Sequence, residues 1–292
     1  TCGGVGGLVI PTTTADVITI GPCVKTITVT STYLTAGAIT INGGTLVINS
    51  GVTLTCTALT MTSGTLTVNG TLNVTGGVSI TGGTYTVSAT GTLGLIGGAQ
   101  SLSSTQPFYN LNIAGSGNKT MGTSITVNNQ LTLTSNNLVV GPNTLTVGSA
   151  TGGNGIVVTS GRITTSTTSS LSFGGSYTNN NLSTIFSNTW PMTIANFTMT
   201  RNLCNLGLGS AHNLTVTGAF TLTAGKFSIG ASLLTLNGIA TGNINGQITG
   251  GSTSDLTLGG SSAQSIYLDL SSTVAGGTNT IRNLINGNTN AS

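Results

Sequence analysis

Residues Gly44 to Val87 read GTLVINSGVTLTCTALTMTSGTLTVNGTLNVTGGVSITGGTYTV, and they repeat one phrase. Gly-Thr-apolar-x-apolar falls at Leu46/Ile48, at Leu66/Val68 and at Tyr85/Val87, in steps of 20 and 19 residues. Each step holds two more alternating pairs: Val52/Leu54 and Leu59/Met61, then Leu72/Val74 and Val78/Ile80. Alternation at period two sends Leu, Val, Ile and Met to one side of a strand and Thr or Asn to the other. A strand this short cannot bury its apolar side alone. Stacked on a like strand one period away, it pairs its backbone groups along the stack and fills a narrow interior. The reading is an all-β fold, a single-stranded parallel β-helix or β-solenoid, with about 20 residues and three short strands per coil. Gly and Asn at the corners take backbone conformations that other residues resist. An antiparallel sandwich would want hairpin turns and longer strands.

At about 4.8 Å per coil, the 292 residues would form roughly 14 coils and a rod on the order of 65 Å long. Charged residues make up only 3%, with no Glu and three Asp (Asp16, Asp255, Asp269). The net charge of +3 is scattered, so a nucleic-acid partner lacks its electrostatic footprint. Disorder is excluded by the regular β-branched and apolar pairs. No apolar run reaches the 18 or so residues of a membrane helix. The chain opens at Thr1 rather than Met, which fits a leader already removed and an extracellular setting.

Residues 1–35 differ from the rest. Leu8-Val9-Ile10 and the burst of Val17, Ile18 and Ile20 are bracketed by Cys2 and Cys23 and punctuated by Pro11 and Pro22. Two roles fit: a cap over the first coil's open edge, or an assembly arm that adds to a neighbouring subunit's edge. Coils then run through 36–105. Beyond them Ile125 to Val147 aligns without gaps on Leu214 to Leu236, 89 residues later, and Ile163 to Gly175 aligns on Ile248 to Gly260, 85 residues later. Phe108 to Met121 has counterparts at Ala195 to Leu208 and Tyr267 to Ile281. This divides the remainder into solenoid modules at 106–190 and 191–265 and the start of a third at 266–292.

The phrases Asn213-Leu214-Thr215-Val216-Thr217-Gly218, Phe220-Thr221-Leu222-Thr223, Gly225-Lys226-Phe227-Ser228-Ile229-Gly230 and Leu234-Thr235-Leu236-Asn237-Gly238 resemble the repeats of large secreted bacterial β-solenoid surface proteins, adhesins and autotransporter passengers. Over about residues 36 to 285 the resemblance implies secretion and a role in adhesion, scaffolding or fibre formation.

A catalytic site needs convergent acids, bases or metal ligands, and none is legible. His212 stands in a corner-like stretch with no acid near it in sequence, and Asp255 and Asp269 have no motif around them. Gly152-Gly153-Asn154-Gly155 lacks the Asp of a calcium repeat. Gly43-Gly44 and Gly76-Gly77 are followed by no phosphate-cradle pattern. The expectation is no enzyme, no cofactor and no metal. The cysteines have no zinc spacing. Cys2 and Cys23 lie about one period apart and suit a disulfide across the N-terminal segment. Cys56 and Cys204 lie about seven coils apart, far beyond the roughly 7 Å that a disulfide tolerates. Each is either a small apolar residue of the core or a link between subunits. Asn-x-Ser/Thr sequons start at Asn73, Asn118, Asn181, Asn196, Asn213 and Asn290, as chance allows in a chain this rich in Asn and Thr.

The first functional expectation is an extracellular structural subunit that pairs with copies of itself, head to tail, into a fibre. The second is an adhesin shaft that contacts surface glycans, with Tyr177, Phe186 and Trp190 as the candidate aromatic patch. Ice binding, raised by the runs Thr53-Leu54-Thr55, Thr132-Leu133-Thr134 and Thr221-Leu222-Thr223, comes third, because such runs recur on several strands per coil, as ordinary strand chemistry places them.

Overall fold

The computed structural model describes residues 17–22, 26–88, 90–148, 155–175, 180–187, 190–269 and 280–289. They form parallel strands stacked in coils about 21 residues apart, with one short helix, Leu182–Ile185. The fold is the β-solenoid that the period of Gly44 to Val87 predicts. About 11 coils are formed among the described residues. Some later coils are longer than the period of Gly44 to Val87. Asn196 meets Ser170 at a separation of 26 residues, and Asn283 meets Asp255 at 28. The chain divides into two compact units, residues 1–138 with 159–161, and residues 139–158 with 162–292.

In the first unit three walls enclose the interior. On one, Leu54, Leu72, Leu93, Leu111 and Leu131 stand in a column, beside a second column of Cys56, Val74, Leu95, Ile113 and Leu133. On another, Ile39, Leu59, Val78 and Leu102 are aligned in the same way. The third carries Leu46, Leu66 and Tyr85. All are buried, and each fully buried Leu, Ile or Val contributes about 1.5–3 kcal/mol. Tyr85 closes its column against the edge of Phe108, with ring centroids 5.5 Å apart.

Two strands here are longer than the short strands expected. Tyr33–Ile48 and Thr53–Val68 each run for 16 residues. Pairing between them survives the corners through register shifts at Ile41/Asn42 and Asn42/Thr45. The backbone bends at exposed Asn42 and Gly43 without surrendering its ladder.

The second unit repeats the plan with bulkier contents. Met192, Leu214, Leu234, Leu256 and Leu284 form one column. Leu145, Leu171, Phe197, Phe220 and Ala240 form another. Phe197 touches three rings, at centroid distances of 5.9 Å from Phe173, 5.5 Å from Phe220 and 5.2 Å from Phe227. Aromatic pairs at these spacings add to the stabilisation from burial alone.

Candidate functional site

Chemistry-bearing side chains are few, and each is held within the coil architecture. Cys56 occupies an inward column position between Thr55 and Thr57, pairs with Val74 and is 1% exposed. Burial pushes its thiol up to about 12, only partly opposed by a hydrogen bond with the backbone of Ala58. A thiol so placed is protonated and shielded, and it packs as a small apolar residue. The side chain of Cys204 is not described, and Cys2 and Cys23 lie outside the described residues, as do Leu8, Val9 and Ile10. Of the second apolar burst, Val17 is exposed, Ile18 half-buried and Ile20 fully buried. Ile18–Ile20 pairs in parallel with Ile39–Ile41 of its own chain.

The two aspartates among the described residues each meet a cation, and the cations differ. Asp255 receives Nε of Arg282 at 2.9 Å on Oδ1 and a second guanidinium hydrogen bond on Oδ2, while Asn283 donates to Oδ1 at 2.9 Å. Hydrogen bonds from Arg282, assisted by Asn283 and by the nearby positive charge, hold the Asp255 carboxyl below its usual range. Asp269, nearly buried, receives the ammonium of Lys226. The Asp255 clasp fixes Asn283–Asn286 to the preceding coil. A carboxyl with a depressed native pKa supports the fold above its unfolded value of 3.8, and that support fades as pH falls through the native value. Arg282→Ala is therefore expected to move the Asp255 titration up towards 3.8, read by carbon-detected NMR of the side-chain carboxyl. An unmoved titration would mean that the clasp does not form in solution.

His212 lies edge-on to Trp190, with ring centroids 4.8 Å apart at 84°, and its backbone N–H donates to Ser232 Oγ at 3.0 Å. Trp190 is half-buried in this contact, Phe186 is buried in the core and Tyr177 is outside the described residues. The expected aromatic patch is thus not assembled from Phe186 and Trp190. Among the described residues no three His, Cys, Asp or Glu side chains gather as a metal site, and no helix is long and apolar enough to cross a membrane.

Three polar side chains turned into the coil escaped the sequence reading, Lys119 and Gln100 buried and Gln264 half-buried. Lys119, fully buried, donates to the carbonyls of Gly97 at 2.9 Å, Gly98 at 2.6 Å and Gly117 at 2.6 Å, one acceptor for each ammonium proton. Gln100 accepts from Gly97 N–H at 2.9 Å and donates to the carbonyls of Val74, at 2.9 Å, and Gly76. The two Nε2 protons of Gln264 are shared among the carbonyls of Leu236, Gly238 and Gly259. All three close corners, where they donate to carbonyls of the turning chain; those of Val74, Gly97 and Leu236 also accept a backbone N–H from the next coil. The signals were present: Ala-Gln-Ser recurs at 99–101 and 263–265, and Lys119 is the one charged residue between Lys25 and Arg162.

What fold and side chains define is a β-solenoid whose polar interior groups serve its corners. Comparison with protein-family models, curated proteins and solved structures finds no match to the chain.

Proposed function

We propose that the chain is an extracellular structural protein, a β-solenoid subunit that joins copies of itself, head to tail, into a surface fibre or appendage. The observation that carries this proposal is the interchangeability of the coils. Leu46 stacks on Leu66, Leu72 on Leu93 and Leu234 on Leu256, each with parallel backbone pairing, so every coil is a template for another. Strand Asn283–Asn286 offers such a template. Among the described residues it pairs with Asp255–Leu258, and Leu284, in line with four buried side chains of its column, is 56% exposed beside Ile285 at 55%. An edge of this kind accepts a strand of matching pattern, and a contact between unlike ends does not close on itself.

Supporting this role, Asp255 and Asp269 are held by Arg282 and Lys226, and His212 packs on Trp190. These are structural duties rather than catalytic ones, and the proposal assigns the chain no enzymatic activity. Resemblance to secreted surface repeats supports the extracellular setting. Electron microscopy of the purified chain over a concentration series is expected to show filaments. Leu284→Lys with Ile285→Lys is expected to leave single particles with an unchanged circular dichroism spectrum. Single particles from the unaltered chain at every concentration would refute the proposal.

A further inference from the structure

On the third wall of the first unit, Thr26–Val29 pairs in parallel with Thr45–Ile48, which pairs with Thr65–Val68, which pairs with Thr84–Val87. The outward positions make two columns. Thr26, Thr45, Thr65 and Thr84 stand opposite one another in the first, and Thr28, Val47, Thr67 and Thr86 in the second. Stacking at about 4.8 Å and a two-residue step of about 6.6 Å set a rectangular mesh of side chains.

Three observations bear on this mesh, and the last of them separates it from the neighbouring strand exteriors. None of its seven threonine hydroxyls has a hydrogen-bond partner among the described residues, and all seven are exposed or half-exposed. The hydroxyls of threonines just past strand ends turn back on the coil instead: those of Thr75, Thr81, Thr105 and Thr217 donate to the carbonyls of Cys56, Met61, Ile80 and Ile194. The wall is also uncharged, since no charged residue occurs between Lys25 and Lys119. Finally, the mesh is confined to one wall. The neighbouring walls present one such pair, Thr53 with Thr55, followed by Thr71 with Asn73, Thr92 with Gly94 and Asn110 with Asn112, or the single column Thr19, Thr40, Thr60, Ser79 and Ser103. The runs at 53–55, 132–134 and 221–223 that first suggested ice binding are not part of it.

We propose that this wall binds ice. β-Branching restricts each threonine to few rotamers, so a methyl and a hydroxyl are presented at fixed intervals in both directions. The methyls exclude disordered water, and the hydroxyls, each a donor and an acceptor, anchor a layer of water with the repeat of the mesh. Both intervals lie close to the oxygen repeats on the prism plane of hexagonal ice. This binding is independent of fibre formation, because it uses a side wall and not a coil edge.

The test is thermal hysteresis and inhibition of ice recrystallisation by the purified 292-residue chain. Faceted crystals and a freezing-point gap are expected. Thr65→Lys with Thr67→Lys is expected to abolish both, whereas Thr60→Lys with Ser79→Lys, the same charge on another wall, retains them. Val47→Thr, which fills the one gap in the mesh, is expected to widen the freezing-point gap. If the first lysine pair unfolds the wall by circular dichroism, Thr65→Ser with Thr67→Ser removes only the methyls and is expected to weaken both effects. Wild-type chain without either effect, or equal loss from the two lysine pairs, overturns the proposal.

Discussion

Phe197→Ala is expected to destabilise the second unit by about 3–5 kcal/mol, the range for truncating a buried aromatic side chain. Phe197 is fully buried, and its ring faces Phe220 at 17° and meets Phe227 near a right angle at 73°. Backbone pairing with Leu171 on one side and Phe220 on the other fixes the Cα atoms, so the coils have little freedom to collapse into the space left. Phe197→Leu, which keeps most of the volume, should cost far less. Denaturant unfolding followed by circular dichroism measures both. Equal midpoints for Phe197→Ala and the unaltered chain would show that the four rings do not pack as a cluster.

Lys119→Ala is expected to cost about 3 kcal/mol, since it opens a cavity and takes the ammonium donor from the part-buried carbonyls of Gly98 and Gly117, leaving Gly97 with the Ser116 N–H alone. The corner has little room to adjust. A side chain at Gly115, where φ is +84°, would place its Cβ 2.2 Å from the carbonyl oxygens of both Gly97 and Ile96. A second readout isolates the charge. Desolvation by burial lowers the Lys119 pKa from 10.5, so between the native value and 10.5 the unfolded chain holds more protons than the native one. Stability therefore rises with pH across that window, reaching its full gain above the unfolded value. Lys119→Met should remove this slope while keeping the stem volume. A slope that persists in Lys119→Met would assign it to another group.

The fold was legible from Gly44 to Val87 because its signal is redundant. Leu46, Leu66 and Tyr85 make the same statement three times, and the structure stacks them in one column. Strand lengths were less legible. The sequence shows turn residues at Asn42-Gly43-Gly44, but whether a corner breaks the ladder or bends it depends on the coil beneath. Lys119 and Gln100 were missed for a related reason. A period-two reading classes a polar residue as outward, whereas a corner faces carbonyls that only the assembled coil brings together. The wall of Thr26, Thr45, Thr65 and Thr84 was hidden similarly. Thr-x-Thr runs were visible along the chain, but which of them become neighbours is a property of register between coils. Thr53 and Thr55 look equally suitable in sequence, yet they meet Thr71 and Asn73.

The pairings within each unit join a strand to one roughly a single turn earlier or later, as Thr26 joins Thr45 and Leu234 joins Leu256. Such a fold has no final closing event that waits for distant segments to meet. Structure can start at any local seed and advance by nearest-neighbour addition, with only a short loop to close each time. A polypeptide delivered gradually from one end can thus become ordered as it arrives, and damage to one turn limits growth there without undoing what has already been laid down.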